Sequence, residues 1–232
     1  MNAHWRRLAH FERLGLRGNP FQALGPEDLL QIVVLPPRLQ RLLADGFHHL
    51  ELIAPKGSGK TTNLLGLCQH FAQAGAQVQY ERLPPGVHRI RTHPIEADLF
   101  AIDETQRLLP HERLRLLWLA RRVRLLIGTH FTHRFEFALA GLPLVSLRVD
   151  HLTDREHLSQ CVERRIHHFA LNPDEPPIML SDDAVDWLWQ QHGPDLRAVS
   201  MTLFEVFQHL PAPGPLTRDA LVNLLKPNST LI

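Results

Sequence analysis

The chain has 232 residues, of which 44% are hydrophobic and 21% charged, with a formal net charge of +1. That length buries one large core, or a core with a small appendage, and the balance excludes a disordered tail, a fibre and a protein that grips polyanions by bulk charge. Cys68 and Cys161 have no second thiol near them in sequence, and the 16 histidines lack metal-site spacing, so neither a disulfide scaffold nor a metal centre built on them is expected.

In chain order, residues 1–45 read as a Pro/Gly-punctuated arm ending in a short helix near 37–45. Residues 46–150 alternate. LELIA (50–54) is a short apolar strand, NLLGLCQHFAQAG (63–75) a helix ended by Gly75, and QVQYERL (77–83) a second strand. ADLFAID (97–103) is a third strand, LPHERLRLLWLARR (109–122) a helix, VRLLIGT (123–129) a fourth strand and LPLVSLRV (142–149) a fifth. Strands separated by helices require crossover connections, so the expected class is α/β, a five-stranded parallel sheet covered on both faces. Over 151–210 the strand signals stop. Three amphipathic helices follow as a small all-α domain, with Thr153 and Ser181 as candidate caps for the first two, and residues 211–232 form a tail with one more short helix. No run approaches the roughly 20 apolar residues of a membrane span, the start lacks an apolar export core, and a cytoplasmic location without membrane contact is expected.

APKGSGKTT (54–62) sits where the first strand turns into a helix. A nucleoside triphosphate needs backbone N–H groups converging on its phosphates, a lysine at the terminal oxygens and a hydroxyl for Mg²⁺. The candidate binding residues are therefore Ala54, Pro55, Lys56, Gly57, Ser58, Gly59, Lys60, Thr61 and Thr62. Lysine is scarce, with only Lys56, Lys60 and Lys226 among 25 basic residues, and Lys60 occupies the position that calls for a point charge. The first glycine of the usual GxxxxGK[ST] pattern is Ala54 here.

LFAIDE (99–104) is an apolar strand ending in two acids. At the C-terminal end of a parallel strand, Asp103 reaches the Mg²⁺ shell and Glu104 orients or deprotonates a water. Thr129 and His130, at the end of LLIGTH (125–130), stand where a polar side chain can hold that water, with Thr129 the first candidate. Arg197 in GPDLRAV (193–199) either reaches the γ-phosphate or pairs with Asp195 as an ordinary surface arginine. Residues 105–150 hold eight arginines against three acids, while 172–232 hold eight acids against three basic residues. The basic segment is a phosphate-facing surface, a contact for the acidic segment of a second copy, or a solvated face. Trp118, Trp187 and Trp189 read as core, and Cys68 as buried packing.

The order of these motifs resembles that of the AAA+ ATPases, in particular the branch of the ExeA type from general secretion and the TniB/TnsC type from transposition. The resemblance runs through LGLRGNPF (14–21), the loop at 54–61, IDETQRL (102–108), LLIGT, HLTDREHLSQCVERRI (151–166) and LSDDAVDWLWQQHGPDLRAVSMTLF (180–204). It implies an ATP- and Mg²⁺-dependent ATPase with a helical lid that regulates a process on DNA, its partners being further copies of the chain, double-stranded DNA, or a transposase or other protein. A nucleotide-gated interaction module with little turnover and a secretion-associated ATPase are the alternatives. The stretch PPGVHRIRTHPIEAD between strands two and three is short for this branch, and the trans-acting arginine it expects just before the fifth strand ends has no clear match, Arg134 and Arg148 being candidates by proximity only.

Overall fold

The computed structural model describes residues 9–55 and 58–226. They divide into two compact units, one of residues 35–152 and one of residues 9–34 with 153–226.

The first unit is α/β. Its strands are β1 (His49–Ile53), β2 (Val78–Arg82), β3 (Leu99–Asp103), β4 (Arg124–Thr129) and β5 (Leu144–Arg148), joined in one sheet of order β2-β3-β4-β1-β5. Every pairing is parallel. Alternate side chains supply opposite cores, as the two-residue period of a strand requires. Leu50, Leu52, Leu99, Ala101 and Leu126 pack with Leu64, Leu67 and Cys68 of one helix, whereas Phe100, Ile102, Leu125 and Ile127 pack with Leu116, Leu119 and Phe137. Among helices that lie wholly within the described residues, α1 is Pro26–Ile32, in the second unit; α2 (Pro37–Asp45), α3 (Lys60–Gln73), α4 (Pro110–Ala120) and α5 (Arg134–Leu139) belong to the first.

The helix expected from residue 63 begins at Lys60, because Gly59 turns left-handed at φ 76° and delivers the chain directly into helical geometry. Cys68 is buried. Trp118 corrects the reading of it as core: it is 45% exposed, with the Arg122 guanidinium 4.2 Å above its ring. Helix α5 has no counterpart in the sequence reading.

The second unit carries α6 (Arg155–Phe169), α7 (Asp182–His192), α8 (Leu196–His209) and α9 (Arg218–Leu225). Their core is Leu158, Val162, Ile166, Leu188, Leu203 and Phe207, and Phe11, Leu14, Leu16 and Phe21 from the start of the chain enter the same cluster. LGLRGNPF is fixed there by Arg17 N–H donating to Phe169 O at 2.8 Å and Asn19 Nδ2 to Phe204 O at 3.0 Å. Asp154, not Thr153, caps α6, its carboxylate accepting from His157 N at 2.8 Å. Ser181 stands at the N-cap of α7, yet its hydroxyl turns to the Asp183 carboxylate. Two three-residue strands, β6 (Ile178–Leu180) and β7 (Gly214–Leu216), pair in parallel where no strand was expected. No helix among the described residues is long and apolar enough to cross a membrane.

Candidate nucleotide site

Parallel strands place all their C-terminal ends on one edge, and there the order of this sheet brings β1, β3 and β4 side by side. The segments leaving those three ends carry most of the residues singled out in sequence.

After β1 come Ala54, buried, and Pro55, exposed; Lys56 and Gly57 lie outside the described residues. Gly59 accepts at its carbonyl from Asn63 Nδ2 at 3.0 Å, which fixes the turn. Lys60 opens α3 and is buried, and among the described residues its ammonium has no hydrogen-bond partner. Burial holds the Lys60 pKa below its ordinary value, with the nearby Asp103 and Glu104 carboxylates working against that loss. Thr61 Oγ1 donates to Asp103 Oδ2 at 2.6 Å, so a hydroxyl and a carboxylate from two elements stand together. Thr62 follows on the first turn of α3, half-buried.

Asp103 is wholly buried, and its other oxygen accepts from Glu104 N at 2.9 Å. Glu104 itself is left-handed, with φ 68° and ψ 35°. Its carboxylate faces four donors: Lys60 Nζ at 3.6 Å, Arg107 at 3.0 Å, Gln106 Nε2 at 2.7 Å and His130 Nε2 at 3.9 Å. Burial works to raise the Glu104 pKa, but Lys60 and Arg107, helped by Gln106 and His130, outweigh it and hold the carboxyl below its ordinary range.

Thr129 ends β4 as expected, but its hydroxyl turns into its own loop, donating to Phe131 O at 2.8 Å and accepting from Phe131 N at 3.3 Å. The next residue, His130, is the one that faces Glu104. Arg197 lies exposed on the first turn of α8 in the second unit; Asp195 accepts from the backbone N–H groups of Arg197 and Ala198, both at 3.0 Å, and caps the helix instead of pairing with the guanidinium.

A buried ammonium without a hydrogen-bond partner among the described residues, beside a hydroxyl–carboxylate pair, fits an anionic phosphate chain with a hard divalent cation. Three residues of the site escaped the sequence reading. Gln106 and Arg107 stand two and three positions after Glu104, and the signal for them was the turn that follows the paired acids. Gly128 lies opposite Asp103 in the sheet, and a Cβ there would come within 2.2 Å of Asp103 Oδ1. Only a glycine admits that carboxylate over the strand.

Solved structures with a similar fold include RuvB from Thermotoga maritima, described as a Holliday junction branch migration motor. It aligns at a TM-score of 0.52 with 15% identity, over 87% of this chain and 68% of that one. A proline-to-glycine variant of the same RuvB gives 0.54 with 14% identity, over 89% and 71%. The chain has an AAA+-like P-loop fold. At such identity the likeness speaks for the fold alone. In sequence, no family model matches the chain and no curated protein matches it at a significant level. Within the AAA+-like fold, the 54–62 loop and the Asp103–Glu104 pair are the chemically equipped positions.

Proposed function

We propose that the chain is an ATP-binding, ATP-hydrolysing AAA+ regulator acting on DNA or a protein–DNA complex, in the manner of the ExeA and TniB/TnsC branch. The observation that carries this reading is the convergence of Lys60, Thr61, Asp103 and Glu104 from two strand ends. Lys60 binds the terminal phosphates, Thr61 and Asp103 would hold the Mg²⁺, and Glu104 takes the proton of the attacking water. Bound Mg²⁺ supplies charge neutralisation at the phosphates. Thr129 shapes the loop that presents His130 to Glu104, and Arg197 reads the γ-phosphate as the helical unit acts as a lid. The basic 105–150 segment supports a polyanionic or acidic partner, either duplex DNA or the acidic 172–232 segment of a second copy. The branch migration motor described for the Thermotoga protein points the same way. A transposase is the partner that the sequence resemblance favours.

One feature favours a slow basal rate. Glu104 is engaged by Lys60, Gln106 and Arg107, so a base must be freed before it can act, and a nucleotide-gated interaction module with little or no turnover is the second reading. Phosphate release by wild type and Lys60→Ala, each with and without duplex DNA, tests the hydrolytic reading. Turnover above the variant supports it. Equal rates under both conditions defeat it, and ATP binding lost in Lys60→Ala but present in wild type then supports the gated module.

A further inference from the structure

Glu104 adopts a left-handed conformation that is strained for a residue with a side chain, so its neighbours must hold it there. On its N-terminal side the Asp103 carboxylate does so. On its C-terminal side stands Thr105, wholly buried, with its hydroxyl 2.9 Å from His133 Nε2 and 3.3 Å from Gly128 O. A carbonyl can only accept, so the hydroxyl donates to Gly128 and accepts from the His133 Nε2–H.

His133 is buried in turn, and its backbone N–H donates to Glu51 Oε2 at 2.9 Å. Glu51 is a fully buried carboxylate in the interior strand β1, where an apolar residue would cost nothing to desolvate. Its other oxygen accepts from Ser146 Oγ at 2.6 Å and from the Thr132 hydroxyl. Three donors from β5 and the 130–133 loop thus converge on one buried charge. That loop also carries His130, which faces the Glu104 carboxylate. A buried polar chain therefore runs from β1 through the loop after β4 to the residue beside Glu104.

We propose that Glu51, His133 and Thr105 form a positioning chain that holds Glu104 in its left-handed pose and so sets the rate of the chemical step. The inference rests on the hydrolytic reading for its rate and on the geometry for its pose, and the two are measured separately. Thr105→Val keeps the shape and removes the hydroxyl; it is expected to lower kcat about 10-fold with the KM for ATP unchanged, while Thr105→Ser stays near wild type. Thr132→Ala, at an exposed position that leaves the core intact, is expected to lower kcat in the same pattern by about 3-fold. The backbone amide resonance of Glu104 in nucleotide-free protein is expected to move in Thr105→Val and to stay in Thr105→Ser.

A Thr105→Val protein with unchanged kcat, or with kcat falling only as KM rises, overturns the proposal, as does an unmoved Glu104 resonance. Should Thr105→Val fail to fold, Thr132→Ala decides by the same two readouts. A wild type no faster than Lys60→Ala defeats hydrolysis itself and with it the rate role of the chain, while the Glu104 resonance still shows whether the chain holds the pose.

Discussion

Lys60 Nζ lies 3.6 Å from Glu104 Oε1, too far for a hydrogen bond and near enough for a strong charge interaction at two buried positions. Each charge lowers the desolvation cost of the other, and each is the group the proposed reaction needs for something else. Glu104→Gln removes the competitor for Lys60 and the base together. ATP is expected to bind about 3-fold tighter or more, and turnover to fall about 100-fold. Fluorescent-nucleotide titration and phosphate release measure the two quantities; weaker binding in the variant contradicts the pairing argument.

Both sides of that pair were legible in the sequence, but their contact was not. Lys60 and Glu104 were both visible as motif residues, because a glycine-rich turn into a helix and an apolar strand ending in acids each leave a local pattern. That both motifs serve one phosphate site was expected from their order, whereas the direct Lys60–Glu104 contact depends on β1 and β3 lying on either side of β4. The five core strands showed as apolar runs between helical periods. Helix α5 did not, being six residues long with Phe135 and Leu139 exposed and only Phe137 buried, which leaves no amphipathic period to read. Strand β7 is Gly-Pro-Leu, a composition that argues against a strand, and pairs only because β6 lies beside it. Glu51 was concealed by its neighbours: Leu50 and Leu52 made LELIA look uniformly apolar, although the glutamate faces the opposite side of the sheet.

Gly128→Ala tests the close approach of Asp103. The new Cβ would stand 2.2 Å from Oδ1, and the carboxylate is held by Thr61 and by the Glu104 amide, so it has little room to retreat. The variant is expected to lose about 1 to 3 kcal/mol of stability. It is also expected to require more Mg²⁺ for half-maximal turnover, because Asp103 moves. Urea denaturation and a Mg²⁺ titration read the two effects, and a variant as stable as wild type shows that the strand can separate.

His49 predicts acid lability with a definite sign. Burial first, then the neighbouring His48 and Arg124, hold its pKa down to about 4 from 6.5. Below pH 6.5 the unfolded chain takes up a proton that the folded chain refuses until pH nears 4. Stability from this group is therefore complete above pH 6.5 and falls as pH drops toward 4, by up to about 3 kcal/mol. His49→Asn removes the titration while offering an oxygen for Leu125 N–H, which now donates to Nδ1 at 3.1 Å. His133 and His157, also held down by burial, add the same sign to both proteins, so the comparison isolates His49. The loss of stability between about pH 7 and pH 5 in urea titrations is expected to be smaller in the variant; equal losses refute the assignment.

Asp195 and Arg197 separate a structural role from a chemical one within a single turn of α8. Asp195 caps two backbone N–H groups, so Asp195→Ala is expected to cost about 1 kcal/mol of stability. The exposed Arg197 guanidinium makes no ion pair among the described residues, so Arg197→Ala is expected to change stability by less than about 0.5 kcal/mol. If Arg197 reads the γ-phosphate, its removal lowers turnover about 10-fold or more while ADP binds as before, because ADP lacks the group it contacts. Thermal melts, phosphate release and ADP titration on the two variants give the contrast. Unchanged turnover in Arg197→Ala returns that residue to the solvated surface of the helix.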